Sequence, residues 1–109
     1  METIDIDFLI SGTRITIPFT AICSITNQKF MGDIIIEYRP SKKIIEYVDT
    51  ETVIKNITTK NKLTVEELAY KIFKIITENI HPQYLKVVID VKKSKAHQPV
   101  QVWIEKSFK

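Results

Sequence analysis

Polar and apolar residues alternate through Thr13-Arg14-Ile15-Thr16-Ile17-Pro18-Phe19-Thr20, the period of a half-buried β-strand. Pro18 cannot donate to a ladder, so this strand is expected at an edge or near its own end. A second strand, Ile34-Ile35-Ile36-Glu37-Tyr38-Arg39, stops at Pro40-Ser41, and Ile44-Ile45-Glu46-Tyr47 is expected to continue the sheet. From Thr50 to Lys60 the recurrence of Val53, Ile54 and Ile57 predicts a helix. The next helix has a stronger signature, because Thr64-Val65-Glu66-Glu67 has the form of a capping box. Behind it Leu68, Ala69, Ile72, Phe73, Ile75, Ile76 and Ile80 form a broad apolar face, and Asn79 and Pro82 mark the end. Leu85, Val87, Ile89 and Val91 then alternate as a third strand, and Val100, Val102 and Ile104 as a fourth. A polar, basic loop from Lys92 to Pro99 separates them.

The order is strands, helices, strands. It predicts an α+β fold: a four-stranded antiparallel sheet in ββααββ order, with two helices on one face. The sheet edges need cover, charge or a partner, so self-association through the sheet is expected. At 109 residues the chain is one domain, spanning 1–109, with 44% hydrophobic and 27% charged residues. No apolar run reaches a membrane-spanning length of about 18 residues. Met1-Glu2-Thr3-Ile4-Asp5 lacks the basic start of a secretory signal. Together with a single cysteine, which excludes an internal disulfide and a multi-cysteine metal site, this predicts a reducing cytoplasm.

Two glycines, Gly12 and Gly32, leave no room for a glycine-rich phosphate loop, and no GxGxxG, GxxxxGK or HExxH occurs. Net charge is +3. From Lys86 to Lys109 six lysines face only Asp90 and Glu105. Such a patch suits either nucleic-acid phosphates, with Lys92, Lys93 and Lys95 as contacts, or an ordinary solvated edge.

The lone Cys23 is the candidate for chemistry. A free cysteine is usually a small buried hydrophobe, but this one ends a strand ahead of a short polar turn. The segment Phe19-Thr20-Ala21-Ile22-Cys23-Ser24-Ile25-Thr26-Asn27-Gln28 resembles the nucleophile segment of the tunnelling-fold enzymes QueF and QueF-like, whose pattern is F-T-S-x-C-P-x-T-x-Q. Their following strand, ending in Tyr, is matched by Ile34-Ile35-Ile36-Glu37-Tyr38-Arg39-Pro40. Glu66-Glu67-Leu68-Ala69 resembles their H-E-E-L-A helix start. Asn79-Ile80-His81-Pro82-Gln83-Tyr84-Leu85-Lys86-Val87 resembles their N-P-x-Y-x-K-V junction. The likeness runs from about Thr16 to Glu105.

This resemblance implies a tunnelling fold whose sheets close into a barrel in ring-forming homo-oligomers, with sites between subunits. It implies a cysteine thiolate attacking the nitrile of 7-cyano-7-deazaguanine to form a thioimide. The reductase branch then uses NADPH, whereas the short QueF-like branch adds ammonia to the nitrile on tRNA and makes the amidine of archaeosine. NADPH is disfavoured, because Glu46-Tyr47-Val48-Asp49-Thr50 keeps only the glutamate of the reductases' E-S-K-S cofactor motif. The resemblance assigns Cys23 as nucleophile and Glu66 as the anchor of the guanidine-like base edge, with Glu46 and Thr26 also at the substrate. Thr26 and Gln28 shape the turn. Glu66 is equally suited to a helix first turn, where a carboxylate meets the positive end of the dipole. No cofactor or metal is expected.

Two positions depart from the pattern. Phe30 stands where the family has a proton-donating aspartate, seven residues after the nucleophile, and Val65 replaces the histidine before Glu66. Asp33 and His97 are the remaining candidates for an acid, His97 by reaching in from a neighbouring subunit. A non-catalytic member of the fold is the alternative function, and a free-base nitrile reductase the third.

Overall fold

Two long hairpins lie side by side and make most of the sheet. The computed structural model describes residues 1–108; Lys109, counted above in the basic patch, lies outside the described residues. In chain order the elements are β1 (Thr3–Asp5), β2 (Thr13–Cys23), β3 (Lys29–Arg39), β4 (Lys43–Ile45), α1 (Tyr47–Lys60), β5 (Lys62–Leu63), α2 (Val65–Ile80), β6 (Tyr84–Val91) and β7 (Val100–Ser107). β2, β3, β6 and β7 pair antiparallel in that spatial order, so the expected four-stranded core is present. α1 packs against β2 and α2 against β6 and β7. One face of the sheet is thereby covered, by Leu68, Ile72, Ile76 and Ile80 of α2 among others, all at most 2% exposed. No helix of the described residues is long and apolar enough to cross a membrane.

Several elements differ from the expectation. β2 and β3 extend to Cys23 and back from Lys29, because the ladder continues through the register pairs Ala21–Phe30 and Ile22–Lys29. Pro18 therefore sits mid-strand. Opposite Asp33, it lies on the open edge of β2, where its missing N–H breaks no ladder bond. Ile44 to Tyr47 does not continue the main sheet. β4 ends at Ile45 and pairs with β1, which has no signal in the sequence pattern, while Tyr38 Oη accepts from the Ile45 amide at 3.2 Å. Glu46 then caps α1, its carboxylate accepting from the Asp49 amide at 2.7 Å, so the helix starts at Tyr47 rather than Thr50. Glutamate is not a favoured cap, which is why the sequence does not mark this start.

One further addition bears on the site. β5, only two residues long, runs parallel to the end of β2 with Ile22 opposite Lys62 and Cys23 opposite Leu63. The Ser24 amide donates to the Leu63 carbonyl at 3.2 Å. This fifth strand clamps the end of β2 against the start of α2. The α2 cap is the predicted box: the Glu67 amide donates to Thr64 Oγ1 and the Thr64 amide to Glu67 Oε1, both at 3.1 Å. At the other end His81 takes the left-handed conformation, with φ at 45°, and its amide donates to the Thr77 carbonyl.

The helix-free face carries a row of alternating charge, Arg14, Glu37, Lys86 and Glu105, in register across four strands. Arg14 Nε and Glu37 Oε1 are 2.8 Å apart. The neighbouring row runs from Ile35 through Val88 to Trp103, which is 54% exposed.

Candidate functional site

Cys23 is the last residue of β2, and a tight turn returns the chain to β3. Its amide donates to the Gln28 carbonyl and its own carbonyl accepts from the Asn27 amide, both at 2.9 Å. Asn27 lies in the left-handed region with φ at 59°, a conformation asparagine tolerates well. Its side-chain oxygen accepts from Lys62 Nζ at 2.9 Å, which ties the turn to β5. Thr26 Oγ1 accepts from the Gln28 amide at 3.2 Å. The turn is thus held from both ends.

The thiol is 5% exposed. Burial pushes its pKa up, but the Thr26 amide, the Thr26 hydroxyl and the Ile25 amide all favour the thiolate. Together they outweigh the burial and hold the pKa below the ordinary thiol value. Iodoacetamide alkylation of Cys23 should therefore rise with pH about a midpoint below that of an ordinary thiol. Thr26→Val removes one donor, so the midpoint should move up and the rate at neutral pH should fall. Intact mass reads this without background, since Cys23 is the only cysteine. An unmoved midpoint in Thr26→Val would refute the hydroxyl's part.

A cavity of about 320 Å³ opens at this point, lined by Cys23, Ile25, Thr26, Thr64, Val65, Glu66, Ala96, His97 and Val100. Glu66 is the second residue of α2 and is exposed. Because Glu67 supplies the capping carboxylate, Glu66 is not used by the cap. Among the described residues it makes no hydrogen bond or ion pair. Cys23, Thr26 and Glu66 are therefore brought together. Glu46 is not: it caps α1 and does not line this cavity.

The two departures from the sequence pattern are packed into the core. Phe30 is fully buried and meets Phe19 edge-on, with ring centroids 5.8 Å apart. Val65 is 5% exposed. Asp33 is on the other side of the sheet, since Phe30, Gly32 and Ile34 take the core face and Asp33 alternates away from it, opposite Asp90. His97 lines this cavity without a neighbouring copy. It comes from the same chain, on the loop between β6 and β7, and stacks at a tilt over Phe30 with centroids 5.1 Å apart. That loop is shaped by the Lys92 amide donating to the Met31 carbonyl and the Ser94 amide to the His97 carbonyl. Lys92, Lys93 and Lys95 face solvent while Ala96 and His97 turn to the cavity. Among the described residues no three His, Cys, Asp or Glu side chains gather as a metal site.

No protein-family model matches the sequence. No curated protein matches it either. Among solved structures the chain is similar to the archaeosine synthase QueF-Like, determined in the apo form, with a TM-score of 0.76 at 21% sequence identity. The match covers 88% of this chain and 93% of that one. With its ββααββ order and its helices on one face, the chain has the α+β tunnelling fold of that QueF-like structure.

Proposed function

We propose that the protein modifies tRNA in the manner of the QueF-like enzymes, converting the nitrile of 7-cyano-7-deazaguanine to an amidine through a thioimide on Cys23. One observation carries the reading: a buried thiol at a strand end shares a cavity with an unpaired carboxylate at a helix start. The Cys23 thiolate adds to the nitrile carbon, one C–N π bond opens, and the nitrogen takes a proton. Ammonia then adds to the same carbon and the thiol leaves, giving the amidine. Glu66 accepts from the guanidine-like edge of the base, two N–H donors to one carboxylate. Thr26 tunes the nucleophile.

The cavity volume is at the lower end of the range for small-molecule sites, about 300–1,000 Å³, and suits a single flat base. A macromolecular substrate fits the exposed Lys92, Lys93 and Lys95, which lie on the loop that carries His97. The exposed Trp103, Met31 and Ile22 on the helix-free face favour assembly of copies into a ring. NADPH plays no part in this reading, because residues 46–50 are spent on the cap and first turn of α1.

The test is adduct formation. Incubation with 7-cyano-7-deazaguanine should add the whole mass of the base and a near-ultraviolet thioimide band, and Cys23→Ala should show neither. No adduct on the unaltered protein would sink the covalent reading. The burial of Phe30 and Val65 where the family has acid and histidine favours a second reading, a binding member of the fold without turnover. Ammonium with nitrile-bearing tRNA separates the two: the first reading requires amidine, the second stops at the adduct or at binding.

A further inference from the structure

His97 has a feature that packing does not account for. Its Nδ1 is buried and has no hydrogen-bond partner among the described residues. Buried polar atoms are nearly always partnered, and an orphan in a folded protein asks for an explanation. The other such atom, Thr77 Oγ1, is on α2 and does not line the Cys23 cavity. The imidazole is held in place by Phe30 beneath it and by the Ser94–His97 turn of its own loop. It lines the cavity whose other titratable groups are Cys23 from β2 and Glu66 from α2; the loop lysines Lys92, Lys93 and Lys95 point to solvent.

We propose that His97 is the proton-transfer residue of the Cys23 cavity, taking the thiol proton and delivering it to the nitrile nitrogen. The role rests on the nitrile reading above. As Sγ bonds to the nitrile carbon, one C–N π bond becomes a lone pair on nitrogen. The proton first taken from Sγ passes from the imidazolium to that nitrogen, leaving a thioimide and a neutral ring. When ammonia adds, the ring takes the surplus proton from the incoming nitrogen and returns it to the departing Sγ. Nothing is oxidised or reduced. Among the residues that line the cavity, His97 is the one left for this proton. Phe30 has none to exchange, Asp33 lies across the sheet, and in the nitrile reading the Glu66 carboxylate holds the base edge. Imidazole exchanges protons readily near neutral pH.

The experiment follows adduct formation on the intact protein with 7-cyano-7-deazaguanine across pH. His97→Asn should slow it by about 10²–10⁴-fold, the usual effect of a positioned acid–base group. The pH–rate profile should lose one limb while calorimetric affinity for the base stays close to that of the unaltered protein. Added imidazole should restore the rate of His97→Gly. If either variant melts early, His97→Gln carries the same comparison with more side-chain bulk. Adduct formed by His97→Asn at the unaltered rate and profile overturns the role alone. Slowing with an unchanged profile and no imidazole rescue marks His97 as structural and overturns it too. No adduct on the unaltered protein removes the nitrile reading and this role together.

Discussion

Phe30→Asp, which introduces the carboxylate of the QueF pattern, is expected to unfold the domain. Phe30 is fully buried, edge-on to Phe19 and under the ring of His97. Losing a buried phenyl ring costs about 3–5 kcal/mol. The incoming carboxylate must also shed water or stay protonated in an apolar site, which adds to the loss. Against a total stability of about 5–15 kcal/mol for a domain, that is most of the margin. Urea denaturation should show a collapsed midpoint, with Phe30→Leu retaining the larger part of it. A Phe30→Asp protein as stable as the parent, and faster to form the adduct, would show that the site is built around a replaceable position. The burial argues the opposite. A carboxylate at this position would meet two aromatic rings, and the group that lies over the Phe30 ring is the imidazole of His97.

Gly32→Ala should be nearly as damaging, two residues further along β3. A Cβ there would overlap the carbonyl oxygen of Asp90 and come within 2.9 Å of its carbon and 3.1 Å of the Val91 Cα. All three atoms belong to the backbone of β6, which cannot turn aside as a side chain can. Overpacking usually costs about 1–3 kcal/mol, and a backbone clash belongs at or beyond the upper end. The opposing gain, about 0.4–1 kcal/mol from stiffening the unfolded chain, is too small to reverse the sign. At roughly 4–8 °C per kcal/mol for a small domain, the melting temperature should drop by more than about 10 °C. A thermal melt followed by circular dichroism reads this directly, and a shift of only a degree or two would contradict it. Cys23 reactivity should weaken with it, because β6 leads at once into Lys92, whose amide bonds the Met31 carbonyl and starts the loop carrying His97.

The elements legible in the sequence are those whose signal is periodic or local. Alternation places β2, β6 and β7, and an apolar run stopped by Pro40 marks β3. The spacing of Thr64 and Glu67 places the α2 cap, since both partners of a capping box lie within one turn. β5 has no period to show in two residues, and β1 is visible only as the partner of β4. The resemblance groups Glu46 with Cys23, yet the fold uses it to cap α1. The side of the sheet taken by Asp33 follows from strand parity, but only once β3 is known to begin at Lys29 rather than Ile34. Glu66 and Glu67 are adjacent and chemically alike. Their division into a free carboxylate and a capping one follows from the rotation of the helix.

Local pattern alone thus settled the α+β class and the order of hairpins and helices. Contacts between distant segments decided the rest. The cavity joins Cys23, Glu66 and His97 from a strand end, a helix start and a loop. Parallel pairing at β5 clamps the first to the second, and the Lys92–Met31 bond with the Phe30 ring sets the third. Periodicity reports which face of its own element a residue takes. Which residues of different elements meet is set by register, packing and turn geometry, and these exist only once the chain has folded.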